Sequence, residues 1–572
     1  MSAAQRALGV NVSPAEQQAI GQAIEAGVAL HQRGLLDDAE RLYAGILKLA
    51  PKHFDALHLL GVIHQQRGDS DKALEFIGAA LALSSASADA YNNYARVLLQ
   101  LRRFDEALGS IDRALALMPD HPAALINRAA IRIELGRHAD ALIDVQRVLD
   151  NDPNNHEAWT KRGNVLVALG EPEQAIACYT KAIAIKPDYT EPRNNRGCQL
   201  GEVGRPEEAL ADYDRVIEIN PAHFEAWLNR GHMLQELHRD DECLASYTQA
   251  HSVERHHPDA MYNQGLNELR LGDFRVGWDH YELRWFIKDY VNAQRKYPFP
   301  RWDGQPFDGP LFVSGEQGLG DQVLFASMLP DVIARVREVT VELDPRLVPL
   351  FTRSFPGVNA VARTAELYRG PAAAYVHMAS LGRYFRPDWA SFPRYENGFI
   401  RCDGERSAQL RARLTDGRKV IGLSWISKNT RHGARKSAQL HDFANVLRLP
   451  GCRFIDLQYG DTRIEREAVQ QDLGVTVERL EDVDNLNDID GLAALISACD
   501  VVVTVSNTTA HLAGALGKET YLLVPTGRAR LWYWFRDRPD SPFYPRMRVS
   551  RQKLKQPWPD LVCAVAAEIV AR

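Results

Sequence analysis

Through the first half of the chain, small and apolar residues return on a fixed beat. Ala39, Ala73, Ala107, Ala141, Ala175, Ala209 and Cys243 stand 34 residues apart, and Pro51, Pro119, Pro153, Pro187 and Pro221 keep the same spacing, with Ser85 at the missing node. Glycine fills two further columns. One holds Gly34, Gly68, Gly136, Gly170 and Gly204, with Arg102 as the exception; the other holds Gly27, Gly61, Gly163, Gly197, Gly231 and Gly265, with Ala95 and Ala129 as substitutes. Such a period predicts one supersecondary unit repeated: a helix, a tight turn, a second helix and a proline that cannot continue it. Glycine and alanine fall where the two helices come too close for larger side chains.

The beat stops after Trp285, and "YPFPRWDGQPFDG" has the Pro, Gly and aromatic content of a boundary loop. Beyond it, short apolar runs alternate with amphipathic helices. "GPLFVSGEQGLGDQVLFASMLPDVIARV" gives a strand, a Gly-rich turn and a helix, and "VTVELDPRLVPLF" repeats the order. "KVIGLSWIS", "CRFIDLQYG", "DVVVTVS" and "ETYLLVP" form a second series of strands. Apolar strands alternating with helices predict parallel sheets covered on both faces. Loops at the carboxyl ends of two such sheets would face one another across a cleft, where open α/β sheets bind ligands. The closing "WPDLVCAVAAEIVAR" is an amphipathic helix expected to pack back on the first α/β unit.

The 34-residue unit resembles the tetratricopeptide repeat, with seven full copies from about residue 20 to 257 and a partial one after them. The expected organisation is an N-terminal segment (1–19), an α-solenoid of repeats (20–290) and two α/β halves (291–400 and 401–572). Packing does not account for one column, Asn93, Asn127, Asn195, Asn229 and Asn263, which Leu59 and Lys161 interrupt. An amide carries a donor and an acceptor, like a peptide group, so a row of them on a concave surface can hold an extended chain by its backbone. The column is similar to the asparagine ladder in the repeats of nucleocytoplasmic O-GlcNAc transferases, which implies a protein acceptor bound there. The competing reading is local side-chain bonding between neighbouring repeats.

Composition narrows the function classes. The formal charge of −6 gives no global field for nucleic acid. Seven scattered cysteines without CxxC pairing argue against a zinc site or disulfide framework and fit a reducing compartment. The start lacks a basic segment followed by an apolar run, and no stretch reaches the length of a membrane span, so a cytoplasmic protein without a membrane span is expected.

Candidate chemistry lies in the second half. In "VVVTVSNTTAHLAGALGK", Ser506, Asn507, Thr508 and Thr509 mark the change from strand to helix. A helix start after a buried strand presents free N–H groups and the positive end of a dipole, a seat for phosphate. Capping alone would also account for these residues. Together with "LVPTGRARLWYWFRDRPDSPFYPRMRVSRQ", the motif resembles the C-terminal half of bacterial heptosyltransferase-like glycosyltransferases, in which such a helix receives the diphosphate of a nucleotide-sugar. The Asp-Thr pair common there is Ser506-Asn507 here. "NTTAH" is also similar to the His-Thr-Thr turn of O-GlcNAc transferases, which implies phosphate contacts from Thr508 and Thr509. The loop "SWISKNTRHGARKS" offers Lys428, Arg431, Arg435 and Lys436 as positive charge, with Lys428 favoured as the donor ligand. "GEQGLGDQVLF" places Asp321 where the heptosyltransferase-like enzymes carry a Gly-Asp pair whose carboxylate is taken as the base; as an ordinary first-turn residue it would only complement the helix dipole. Gln458 and Tyr459 end a strand toward the expected cleft, and His377 and His511 are further candidates. Asp488 and Asp490 are read as helix caps. The glycine spacing is not a dinucleotide fingerprint, so a nicotinamide cofactor is not expected.

The order of modules resembles bacterial repeat-linked protein O-glycosyltransferases, flagellin-modifying enzymes among them. This resemblance implies a GT-B module of two Rossmann-like domains and metal-independent transfer of a sugar, with inversion, from a nucleotide-sugar to a Ser or Thr hydroxyl of a protein held by the repeats. No further cofactor is implied. The alternatives are transfer to a lipid or polysaccharide, and a nucleotide-sugar-binding adaptor without turnover.

Overall fold

A computed structural model describes residues 13–287, 294–306, 308–428 and 433–571. By contact the chain divides into two compact units, Met1–Pro221 and Ala222–Arg572.

The first unit consists of helices in antiparallel pairs. From Leu36 onward their lengths alternate with little change, as in Phe54–Gln66 followed by Ser70–Leu83 and His156–Ala168 followed by Pro172–Ile185. The two glycine columns do different work. Gly34, Gly68, Gly136, Gly170 and Gly204 have φ between 72° and 80° and open space where a Cβ would be, so they form the left-handed turn between paired helices; Arg102 adopts the same turn at φ 59°. The other column is close packing: a Cβ on Gly163 would lie 2.4 Å from the Tyr179 ring, and one on Gly197 2.8 Å from Tyr213. Sequence reasoning missed a third periodic device. His53, Ser87, His121 and Asn155 each accept a backbone N–H through the side chain and cap the helix that follows.

The second unit begins with helices of the same kind, Phe224–Glu236, Asp240–Val253, Pro258–Leu271 and Phe274–Tyr281. It continues as two sheets. Strands β1 (Pro310–Ser314), β2 (Glu338–Leu343), β3 (Val358–Ala362) and β4 (Ala374–His377) form a parallel sheet in the order β3-β2-β1-β4. Strands β5 (Lys419–Ser424), β6 (Cys452–Asp456), β7 (Val477–Glu478), β8 (Val501–Val505), β9 (Glu519–Val524), β10 (Asp540–Ser541) and β11 (Tyr544–Arg551) form the other, in the order β10-β11-β9-β8-β5-β6-β7. All its pairings are parallel except β10 with β11. Strand order reverses beside β1 in one sheet and between β5 and β8 in the other, and such switch points are where open α/β sheets leave a crevice at their carboxyl ends.

Leu269, Phe274, Trp278 and Tyr281 from the last helices share one apolar core with residues of both sheets. Trp278 also donates its indole N–H to the Arg386 carbonyl at 2.8 Å. The terminal helix Trp558–Val570 buries Leu561, Val562, Val565 and Ile569 against Phe443, Val446 and Tyr521 of the seven-stranded sheet and its covering helices. It therefore packs on its own half, because that face of the sheet is otherwise uncovered apolar surface, and not on the four-stranded half as expected from sequence. All seven cysteines are unpaired. Among the described residues no helix is long and apolar enough to cross a membrane.

Candidate functional site

Three loops that follow strands at the switch points meet in one cavity of about 660 Å³. The Gly-rich turn after β1 leads into the helix Leu319–Phe325 and carries Asp321; the loop after β5 carries Lys428 and Lys436; the turn after β8 leads into the helix Thr508–Ala515. The starts of the two helices nearly touch. A Cβ on Gly320 would stand 2.8 Å from His511 Cδ2 and 3.5 Å from Thr508 Cα, so only glycine lets the Asp321 turn approach the Thr508 turn this closely.

Asp321 accepts the Gly318 N–H at 3.1 Å and the Tyr533 hydroxyl at 3.3 Å. The residue is partly exposed, yet the surrounding protein encloses its carboxylate, and this desolvation raises its pKa against the pull of those bonds and of Lys436. Lys436 is 3 % exposed and has no hydrogen-bond or ion-pair partner among the described residues. Burial pulls its pKa down to about 8, with the charge of Asp321 acting in the opposite direction. Burying a lysine without a hydrogen-bonded partner carries a desolvation cost, and this one lines the cavity that Asp321 also lines.

On the other helix start, Thr508 and Thr509 both line the cavity, and the buried Thr509 Oγ1 has no hydrogen-bond partner. Asn507 and Ser506 reach the cavity wall but are engaged internally. Asn507 Oδ1 caps the helix by accepting Ala510 N–H at 3.2 Å while its Nδ2 donates to Ser424 Oγ at 2.8 Å, and Ser506 Oγ accepts the Trp534 indole at 2.8 Å. His511 stacks on Trp534 at 5.1 Å between ring centroids, and its Nδ1 shares a 2.9 Å hydrogen bond with the Tyr544 hydroxyl. Burial lowers its pKa to about 3, so the ring is neutral at physiological pH.

The remaining sequence candidates lie as follows. Lys428 is exposed at the rim, its ammonium 5.6 Å from the Tyr459 ring centroid. Gln458 is fully buried outside the cavity lining; its Oε1 accepts Ser424 Oγ, Trp425 N–H and Ile426 N–H, so the amide shapes the loop after β5 from behind. Arg435 bonds Glu236 of the helix Phe224–Glu236 at 2.7 Å, and Arg431 lies outside the described residues. His377 is buried away from the cavity with neither ring nitrogen bonded. Asp488 caps the helix Ile489–Ala498 through Gly491 N–H, whereas Asp490 pairs with Arg353.

Sequence reasoning missed the arginines of the cavity, Arg270, Arg346, Arg528 and Arg530. Arg270, from the helix Pro258–Leu271, and Arg530, from the segment after β9, share Asp240 at 2.9 Å each. Their positions are set by contacts between segments far apart in the chain, which no local motif records. With Arg346, Arg528 and the two lysines they make a cationic lining around Asp321, the single carboxylate of the lining among the described residues. Among the described residues no group of three or more His, Cys, Asp or Glu side chains is placed to hold a metal ion.

The asparagine column divides by local bonding. In the first unit, Asn93 Nδ2 bonds His58 Nε2 at 2.9 Å, Asn127 Nδ2 donates to Asn92 Oδ1 at 2.8 Å, and Asn195 Nδ2 donates to Asn164 Oδ1 at 3.2 Å. These bonds between neighbouring repeats use the amide nitrogen and leave the oxygen as an acceptor. In the second unit Asn229 is half-buried, and Asn263 donates to the Asp259 carbonyl and lines the cavity.

Sequence profiles of the tetratricopeptide repeat match residues 92–156 and 156–189. The chain carries tetratricopeptide repeats. Profiles of the anaphase-promoting complex, cyclosome, subunit 3, and of the protein prenyltransferase alpha subunit repeat match residues 32–114 and 206–237. Protein FlbA of Caulobacter vibrioides is 37% identical over 303 residues, 49% of this chain and 50% of that protein. The chain thus spans about half the length of the curated relative it matches. Among solved structures, a tetratricopeptide repeat protein from Parabacteroides merdae is 19% identical with a TM-score of 0.37, covering 44% of this chain and 99% of that one. YrrB, described as a TPR protein with an unusual peptide-binding site, is 24% identical with a TM-score of 0.27, covering 33% and 98%.

Proposed function

We propose that the chain is a metal-independent protein O-glycosyltransferase of the GT-B kind, using a nucleotide-sugar donor and a Ser or Thr acceptor presented by its repeats. The observation that carries this reading is the meeting of Asp321 with the Thr508–Ala515 helix start and the unpartnered Lys436 in one cavity. The donor's phosphates lie against the free N–H groups of that helix, with Thr509 Oγ1 and Lys436 Nζ completing their coordination. The leaving nucleotide's developing charge is then met by fixed cations, so the bond between the anomeric carbon and the phosphate oxygen breaks without a metal. Asp321, at the start of the neighbouring helix, takes the proton of the acceptor hydroxyl as its oxygen attacks the anomeric carbon from the face away from the leaving phosphate. Enclosure brings the carboxyl closer to working pH, which suits a base that must also release the proton afterwards. The resemblance of the module order points to a flagellin as one acceptor class, and the amide oxygens of Asn93, Asn127 and Asn195 are suited to accept backbone N–H groups of an extended segment.

The test is incubation of the full chain with UDP-, GDP-, ADP- and CMP-sugars while nucleotide release is followed. Release from one donor is expected, and Asp321→Asn should lower it about a thousandfold while sparing donor affinity. Binding of a donor without release by the wild-type chain would support an adaptor instead.

A further inference from the structure

Behind the Gly-rich turn lies a fully buried guanidinium. Arg284, in the short helix Glu282–Phe286 that ends the helical region, donates Nη2 to Glu316 Oε1 at 2.8 Å and Nε to Glu316 Oε2 at 3.1 Å. It also donates to Ser380 Oγ and Glu282 Oε1, both at 2.8 Å, and packs over the rings of Tyr281 and Trp285. Glu316 accepts Ala379 N–H at 3.1 Å as well, so both oxygens of that carboxylate are engaged. The next residue, Gln317, has φ 63° without being glycine, and its Nε2 donates to the Tyr281 hydroxyl at 2.6 Å. Gly318 follows and donates its N–H to Asp321. An unbroken chain of short contacts thus runs from the last helices to the carboxylate.

A buried ion pair contributes little net stability compared with apolar side chains of the same volume, and a left-handed non-glycine residue opposes folding; both persist where surrounding contacts hold one geometry. Here that geometry is the course of residues 315–320, which decides where Asp321 points. We propose that Arg284 and Glu316, together with Tyr281 and Gln317, are positioning residues for Asp321, so that the end of the helical region is a working part of the active site. The proposal rests on the reading of Asp321 as the base. Glu316 also acts on Asp321 through its charge, which raises the Asp321 pKa; the other groups facing Asp321 are Lys436, Tyr533, Tyr544 and the Gly318 N–H.

The test compares Tyr281→Phe, Glu316→Gln, the double variant Arg284→Met/Glu316→Leu and Asp321→Asn in the full chain. The probe is the sugar nucleotide from which the wild type releases nucleotide. Tyr281→Phe should lower kcat about tenfold and the double variant about a hundredfold, with donor Kd unchanged, since an ångström of misplacement has effects of that order. Glu316→Gln, which removes the anion while Arg284 stays, should also move the acid limb of the kcat profile to lower pH, which a merely structural role would not cause. If the double variant does not fold, Tyr281→Phe and Glu316→Gln carry the test. Wild-type kcat and pH profile in the variants, with Asp321→Asn inactive, would overturn the positioning role and leave the proposed function standing. Turnover retained by Asp321→Asn would overturn both.

Discussion

Gly163 and Gly320 are both glycines because a neighbouring side chain occupies the space a Cβ would need, yet they belong to different kinds of construction. Gly163 meets Tyr179, sixteen residues away, in a contact that recurs at Gly197 with Tyr213 and Gly231 with Tyr247. Gly320 meets His511, almost two hundred residues away, in a contact made once. The repeats solve one packing problem many times with local partners, so each solution contributes stability and can be replaced by its neighbours' example. The cavity solves a single problem with distant partners, and there the same atom-level constraint brings two helix starts together.

That contrast can be broken by substitution. Gly320→Ala should push the Asp321 turn off His511 and lower transfer by about a hundredfold, read as kcat, because both helix starts shift relative to the bound donor. Lys436→Gln should weaken donor binding by about tenfold to a hundredfold, read by calorimetry, since a charge-assisted contact to phosphate is lost. The same titration carries a pH signature. The buried lysine has a pKa lowered to about 8, so it is charged below that pH and neutral above it; donor affinity should fall as pH rises through 8 in the wild type and stay flat in Lys436→Gln. Replacing Asn93, Asn127 and Asn195 together by alanine should raise the acceptor KM by about tenfold and leave donor hydrolysis alone. If these asparagines serve only to join repeats, Tm falls and KM does not move. Gly163→Ala, the smallest effect on chemistry, should cost about 1–3 kcal/mol in thermal unfolding through overpacking against Tyr179, with kcat per folded molecule unchanged.

The same division separates what the amino-acid sequence displays from what it conceals. A 34-residue period sets its constraints side by side, so the paired helices and their turns are visible in Gly34, Gly68 and Pro51 alone, although separating the turn glycines from the packing glycines needs backbone angles. Apolar runs such as "VVVTV" identify strands, whereas β3, with its half-exposed Val358–Ala362, has no such run and escapes. Asp321, Thr508 and Thr509 are legible because each sits at a strand-to-helix turn with a local logic. Lys436 ranks below Lys428 in sequence because a charge run looks alike whether its members are solvated or buried, and the burial of Lys436 is decided by the fold around it. Arg270 and Arg530 are beyond reach for the same reason: Asp240, which holds both, is distant from Arg530 in sequence.

A crystal structure of the full chain grown with the proposed sugar-nucleotide donor tests the central claim most directly. The phosphates are expected at the N–H groups of the Thr508–Ala515 helix within hydrogen-bond reach of Lys436 Nζ, with the anomeric carbon turned toward Asp321. A donor bound elsewhere on the molecule, or a cavity filled by the chain's own side chains under saturating donor, would contradict it.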